Sequence, residues 1–167
     1  MWKYCLLFFM SYWVVKKTCY YYHEYTRETY ADDTTFRSLV KYSTRANSRL
    51  RKLKISHTND EQDVIYVIHV TYKSRSFFKI GRTTLGRFYR RIREHVSEWG
   101  PKNLILYDVF TIQHPRVEEK FHMHMKVFKG GVYRANLKAH GKTYKEFYSN
   151  DTTVTDELNN YIILNRP

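Results

Sequence analysis

The amino-acid sequence predicts an α+β domain: a small three-stranded antiparallel sheet flanked by helices, preceded by a helical and aromatic extension. Three observations lead there. Two β-like apolar runs, VIYVIHVTY (64–72) and FFKIG (77–81), stand on either side of the short polar stretch KSRS, the pattern of a hairpin. A third apolar run, NLILYDVFTI (103–112), follows a helical stretch, so the order is β-β-α-β-α. The 167 residues suffice for one domain with a real core and a short appendage.

The extension comes first. CLLFFMSYWVV (5–15) is an apolar run too short to span a bilayer, for which about 20 residues are needed. Lysines flank it and no small-residue cleavage site follows, so it reads as a packed helix or strand. A signal or membrane-surface anchor is the alternative. Cys5 and Cys19 form no zinc-type spacing, and sequence gives no support for a disulfide between them; a reducing compartment is expected. From 35 to 55, Phe36, Leu39, Val40, Leu50 and Leu53 recur at helical spacing among seven cations and no anion. This predicts a basic amphipathic helix that can lie on nucleic acid first, with an anionic membrane or simple solvation as the alternatives. The polar break SHTNDEQD (56–63) divides an extension, 1–60, from a domain, 61–167.

Within the domain, an even loop at KSRS places Tyr66, Ile68 and Val70 on the same sheet face as Phe77, Lys79 and Gly81. Gly81 is expected to end its strand and let the backbone approach a phosphate. The next helix covers 86–99. On a helical wheel Phe88, Ile92, Val96 and Trp99 make its packed stripe; Arg91 and His95 border it, and Arg90 and Arg93 point to water. After the third strand, Pro115 sits where a helix begins. Val117, Phe121, His124, Met125 and Phe128 form that helix's buried stripe, with Glu118 and His122 at the border and Glu119 opposite. A Gly-Gly basic loop, a short segment YKEFY (144–148) and a last helix over 156–164 complete the chain.

The charge balance narrows the partner. Lys+Arg number 29 against 16 Asp+Glu, a net +13, which favours a polyanion and nucleic acid first. Aromatics reach 17%, and rings interleaved with cations suit backbone tracking and base stacking. A carboxylate at the rim of a core, as at Glu118, offers hard oxygen to Mg²⁺ or Mn²⁺.

The pieces IYVIHV, FFKIGRT, RRIREH, VEEKFHMHM and KEFY, spread over roughly 63–148, resemble the GIY-YIG endonuclease superfamily in its phage and large-DNA-virus branch. The resemblance implies a metal-dependent endonuclease cutting DNA phosphodiester bonds, with Mg²⁺ or Mn²⁺ on Glu118. It makes Tyr66 the tyrosine of the first motif, where VIY stands for GIY. Gly81 becomes the glycine of the second motif, Arg91 and His95 the arginine and histidine one turn apart, and Glu118 the metal-binding glutamate. Lys79 occupies the second tyrosine's position and joins the catalytic set as a cation that can position a phosphate. Asn150 is the candidate for the family's late asparagine. Arg82, Arg87, Arg90, His122, Lys129, Arg134 and Lys138 are expected to bind the nucleic acid. No small-molecule cofactor and no membrane partner are expected; the location is intracellular, in host cytoplasm or nucleus if viral. The alternative on the same fold is a binding module with weak or no catalysis, favoured by Lys79.

Overall fold

The computed structural model describes residues 40–55 and 60–165. The readings made for 1–39, including the apolar run, both cysteines and the start of the basic helix, lie outside the described residues, as do 56–59 of the proposed boundary.

The strands are β1 (Lys41–Tyr42), β2 (Asp63–Tyr72), β3 (Arg75–Thr84), β4 (Leu104–Thr111), β5 (Arg134–Ala139) and β6 (Lys142–Ser149). The helices are α1 (Thr44–Ile55), α2 (Phe88–Trp99), α3 (Val117–Val127) and α4 (Thr152–Leu164). The α+β class stands, but the sheet has six strands rather than three, in the order β1-β4-β2-β3-β6-β5. It is mixed, because β1 runs parallel to β4 while the other pairs are antiparallel.

β2 lies at the centre and is buried on both faces, which explains its nearly continuous apolar sequence. Val64, Tyr66, Ile68 and Val70 pack with Phe88, Ile92 and Trp99 of α2 and with Ala46 and Leu50 of α1. Ile65 and Val67 face the opposite core, made with Val117, Phe121 and Met125 of α3 and Val154, Leu158 and Ile162 of α4. The β2–β3 turn is only two residues, Lys73 and Ser74, both at positive φ. Such a turn matches the twist of the strands and fixes register. Tyr66 therefore opposes Gly81, Ile68 opposes Lys79 and Val70 opposes Phe77, as the even-loop argument requires.

Several boundaries differ from expectation. The 35–55 stretch is not one helix: Lys41–Tyr42 pair with Ile105–Leu106, and α1 starts only at Thr44. Ser43 stops the strand and starts the helix, since its hydroxyl accepts from Ala46 N at 3.0 Å. YKEFY belongs to strand β6, joined to β5 through His140 and Gly141, again both at positive φ. Pro115 stands in the turn before α3, whose N-cap is Arg116. α4 begins four residues early because Asp151 caps it, accepting from Thr153 N at 2.9 Å. Arg93 is half-buried rather than turned to water.

A buried ion pair ties α1 to the sheet. Arg49 Nε lies 3.0 Å from Oδ1 of Asp108, whose side chain is 2% exposed, and its guanidinium carbon sits 3.9 Å from the centre of the Phe110 ring. Arg49 Nη2 also donates to Asn159 of α4 at 3.3 Å. Arg49→Ala leaves a buried carboxylate without its cation, a loss of about 3 kcal/mol or more. Adding Asp108→Ala is expected to recover part of that loss. Urea unfolding of the single and double variants checks this, and strictly additive losses refute the coupling.

Candidate functional site

Tyr66 is the centre from which the site is built. Its ring lies across Gly81, where an added Cβ would collide with the Tyr66 hydroxyl and meet Cζ at 2.6 Å. Glycine is thus needed here to seat the phenol, and the strand continues past it to Thr84. This corrects the expectation that Gly81 ends the strand and opens the backbone to a phosphate. The crossover into α2 is pinned by Leu85 N donating to Gln62 O at 2.8 Å and Gly86 N to Asp60 O at 3.0 Å. That anchorage sets the phase of α2, so the residues one turn apart, Arg91 and His95, both reach Tyr66. His95 Nε2 is 2.9 Å from the Tyr66 hydroxyl, and Arg91 Nε donates to it at 3.3 Å. Arg91 Nη1 also donates to Glu94 at 2.6 Å, and its side chain remains 44% exposed.

The second half of the site forms where two strands part. β3 and β6 pair only from Phe77↔Ser149 to Lys79↔Phe147. At the end of that seam Lys79, buried at 4% exposure, donates to Glu146 Oε2 at 2.5 Å. On the other core, Glu118 and His122 stand one turn apart at the start of α3, with Oε1 and Nε2 3.4 Å from each other. His122 Nδ1 is hydrogen-bonded to the hydroxyl of buried Tyr148, and the two rings are parallel. Arg82 lies 2.7 Å from Asp63 and 3.8 Å from Glu118.

The electrostatics of the two halves are coupled. Burial pushes the Tyr66 phenol up to about 12; Arg91 pulls against this, while the charges of Glu146 and Glu118 add to it. Burial holds His95 down at about 4, helped by the Lys79 and Arg91 cations and opposed by Glu98. Burial alone would raise the Glu146 carboxyl, but its bond from Lys79 overrides this and keeps it below the usual carboxylate range. Burial also pushes the Tyr148 phenol up. At neutral pH the site therefore holds two neutral phenols, a neutral His95 and charged Arg91 and Glu146.

Tyr66, Arg91 and His95 come together as the wheel and register require, and Lys79 shares their face. Its Nζ is already matched by Glu146. Glu118 and His122 sit at the border of their helix, as expected, and Glu119 is exposed. Among the other cations, Arg87 and Lys138 are exposed; Arg82 and Arg90 are exposed too but paired, with Asp63 at 2.7 Å and Glu94 at 3.6 Å, and Arg134 Nη2 donates to Lys145 O at 2.8 Å. The side chain of Lys129 lies outside the described residues. Asn150 lies near His69 and lines a groove with Tyr72, Phe77 and Lys138, away from the Tyr66 cluster. Lys73 and Arg75 line the same groove, of about 570 Å³. Glu146, Tyr148, Glu98 and Tyr144 escaped the sequence reading. The EFY piece held two of them, but nothing local marked them as partners of residues far away in the chain.

A divalent ion can be weighed against this donor set. Mg²⁺ keeps several waters and takes one or two carboxylates with phosphate oxygens. Glu118, half-buried and held only by contacts of 3.4 and 3.8 Å, fits that manner of binding. Among the described residues no three His, Cys, Asp or Glu side chains gather into a metal cluster. The ion would rest on Glu118, water and phosphate oxygens.

The depressed His95 pKa has a stability consequence. As pH falls from the ordinary 6.5 toward about 4, the unfolded chain takes up a proton that native His95 refuses. Stability is full above about 6.5 and declines by up to about 3 kcal/mol toward pH 4 from this group. Urea midpoints measured across that range are expected to fall more steeply for the native chain than for His95→Gln; parallel curves count against a neutral, buried His95.

Comparison with known proteins was consistent with this geometry at the level of the domain. Neither a curated protein nor a solved structure matches the chain. Among the described residues no helix is long and apolar enough to cross a membrane. The family model of the T5orf172 domain matches residues 63–162, from the first residue of β2 into the last turns of α4. The match thus spans every element of the Tyr66 site and leaves β1 and α1 outside it. The chain belongs to the T5orf172 domain family, an endonuclease-related group.

Proposed function

We propose that this protein is a divalent-metal-dependent endonuclease of GIY-YIG type that hydrolyses DNA. The observation that carries the reading is the phenol of Tyr66 seated over Gly81 and gripped by both His95 and Arg91. A buried tyrosine needs one hydrogen-bond partner; this one has two, and one of them reaches solvent. A scissile phosphate meets the half-exposed Arg91 first and competes with Glu94 for its guanidinium. Arg91 then offsets charge developing on the phosphoryl oxygens, an effect of about 3 kcal/mol for a preorganised donor. Tyr66 takes a proton from the attacking water as its own hydrogen passes toward His95, which is neutral and able to accept it. Glu118 would hold Mg²⁺ or Mn²⁺, which when bound supplies Lewis acidity and neutralises phosphate charge. Lys79 acts through Glu146, keeping a carboxylate fixed at the seam instead of touching phosphate itself.

Arg91→Ala and Glu118→Gln are each expected to reduce Mg²⁺-dependent DNA cleavage by at least about 100-fold, with circular dichroism and melting temperature nearly unchanged. Absence of metal-dependent nicking by the native chain across varied DNA substrates sinks the nuclease reading and leaves the binding module.

The net charge of +13 and the groove at the hairpin tip support DNA as the partner. Lys73, Arg75 and Lys138 line that groove without an acidic neighbour among its lining residues. It lies at the opposite end of the β3–β6 seam from Lys79, and in this reading it holds the strand flanking the cut. Replacing the three cations by Ala is expected to lower the slope of log affinity against log salt by about 2–3. Fluorescence anisotropy on a labelled duplex measures it, and an unchanged slope removes the groove from the interface.

A further inference from the structure

Tyr66 and His95 continue into a line of groups that the proposed chemistry does not use. His95 Nδ1 lies 3.7 Å from Glu98 Oε2, one turn further along α2. That nitrogen is buried and has no hydrogen-bond partner among the described residues. The other carboxylate oxygen of Glu98 accepts from the Tyr144 hydroxyl of β6 at 2.5 Å. Glu98 is thus tied to the neighbouring strand, with 29% of its side chain exposed and one oxygen turned to His95.

Electrostatics decide which nitrogen of a neutral imidazole carries the hydrogen. If Nδ1 were bare, its lone pair would confront a carboxylate across 3.7 Å in a shielded space. With hydrogen on Nδ1, the contact becomes attractive, even though it is longer than a hydrogen bond. Nε2 is then the acceptor, and the Tyr66 hydroxyl must donate to it. Arg91 fills one lone pair of the same phenol oxygen, because it can only donate. One lone pair remains, and it is the one available to a water. The opposite tautomer reverses the Tyr66–His95 bond: Nε2 then occupies a phenol lone pair, and the hydroxyl hydrogen turns toward the place of the water. The charged and titratable groups acting on His95 are Lys79, Arg91 and Glu98, and Glu98 is the anion among them.

We propose that Glu98, held by Tyr144, is a positioning residue that fixes His95 as the Nδ1–H tautomer and thereby aims the Tyr66 hydroxyl at His95. The proposal rests on Tyr66 as the proton acceptor of the nuclease reading, and it deepens that reading by naming what orients the acceptor. Glu98 touches neither substrate nor metal in this scheme. Its carboxylate matters through charge, so an amide of the same shape is not equivalent: the side chain introduced by Glu98→Gln could present its NH₂ to Nδ1 and favour the wrong tautomer.

The test reads the tautomer directly. Nitrogen-15 NMR of the His95 ring at neutral pH is expected to show Nδ1–H in the native chain. In Glu98→Gln the ring shifts to Nε2–H or to a mixture, and Glu98→Asp restores part of the native signal. Tyr144→Phe, a milder change that keeps the ring packed, gives an intermediate spectrum and covers the case in which Glu98→Gln fails to fold. In DNA cleavage, Glu98→Gln is expected to lower kcat by about 10- to 100-fold, the range for outer partners of a functional histidine, with KM little changed. A native His95 found as Nε2–H, or a tautomer unmoved by both Glu98→Gln and Tyr144→Phe, overturns the proposal. A native chain that cuts no DNA but shows the expected tautomers overturns the nuclease reading alone.

Discussion

The register between β2 and β3 is the constraint on which the site depends. Because side chains alternate across a strand, a slip of one residue would send Tyr66 to the α3 core and bring Ile65 or Val67 to α2. Two features prevent it. Lys73 and Ser74 form a two-residue turn that admits one pairing. Gly81 is the position opposite Tyr66 that leaves room for its ring, so the correct register is also the one without a clash. The same glycine that seats the phenol therefore helps to align the strands.

Burial on both faces of β2 explains why this region was legible. The apolar runs, the even loop and the helical stripes are local periodicities, and each is a direct consequence of a side chain packing on one known neighbour. Tyr66, Lys79, Arg91 and His95 could be placed together from those periods alone. The missed features are those in which distant segments decide. Strands β5 and β6 alternate weakly, since Phe147 and Tyr148 are both buried, on opposite faces. The pairing of Lys79 with Glu146 joins residues 67 apart, and no local period reveals it. Arg93 was misplaced for a related reason: a wheel ranks positions against one packed face and says nothing of what covers the other.

The basic surplus is divided in a way that composition cannot reveal. Arg49, Lys79 and Arg82 are matched by Asp108, Glu146 and Asp63, so a share of the cations serves the fold. Arg90 pairs with Glu94 on the surface, and Arg87, Lys138 and the groove residues Lys73 and Arg75 are exposed. Arg91 belongs to both groups, with one end on buried Tyr66 and the other on exposed Glu94. A residue so placed transmits what happens in solvent to a group that solvent does not reach.

That position bears on how the site stays quiet without substrate. Tyr66 holds its proton to about 12, and His95 accepts one only near 4. Passing the proton between them in the free protein is unfavourable. The pair is therefore a hydrogen bond at rest and cannot ionise by itself. In the proposed reaction a phosphate at Arg91 and a cation at Glu118 would act on this gap, because a positive charge near Tyr66 lowers the cost of phenolate and an anion near His95 lowers the cost of imidazolium. Glu98 already supplies part of the second effect from behind the ring. In the proposed reaction, chemistry would wait for the substrate and the metal to change the electrostatics of residues that are already in contact with one another.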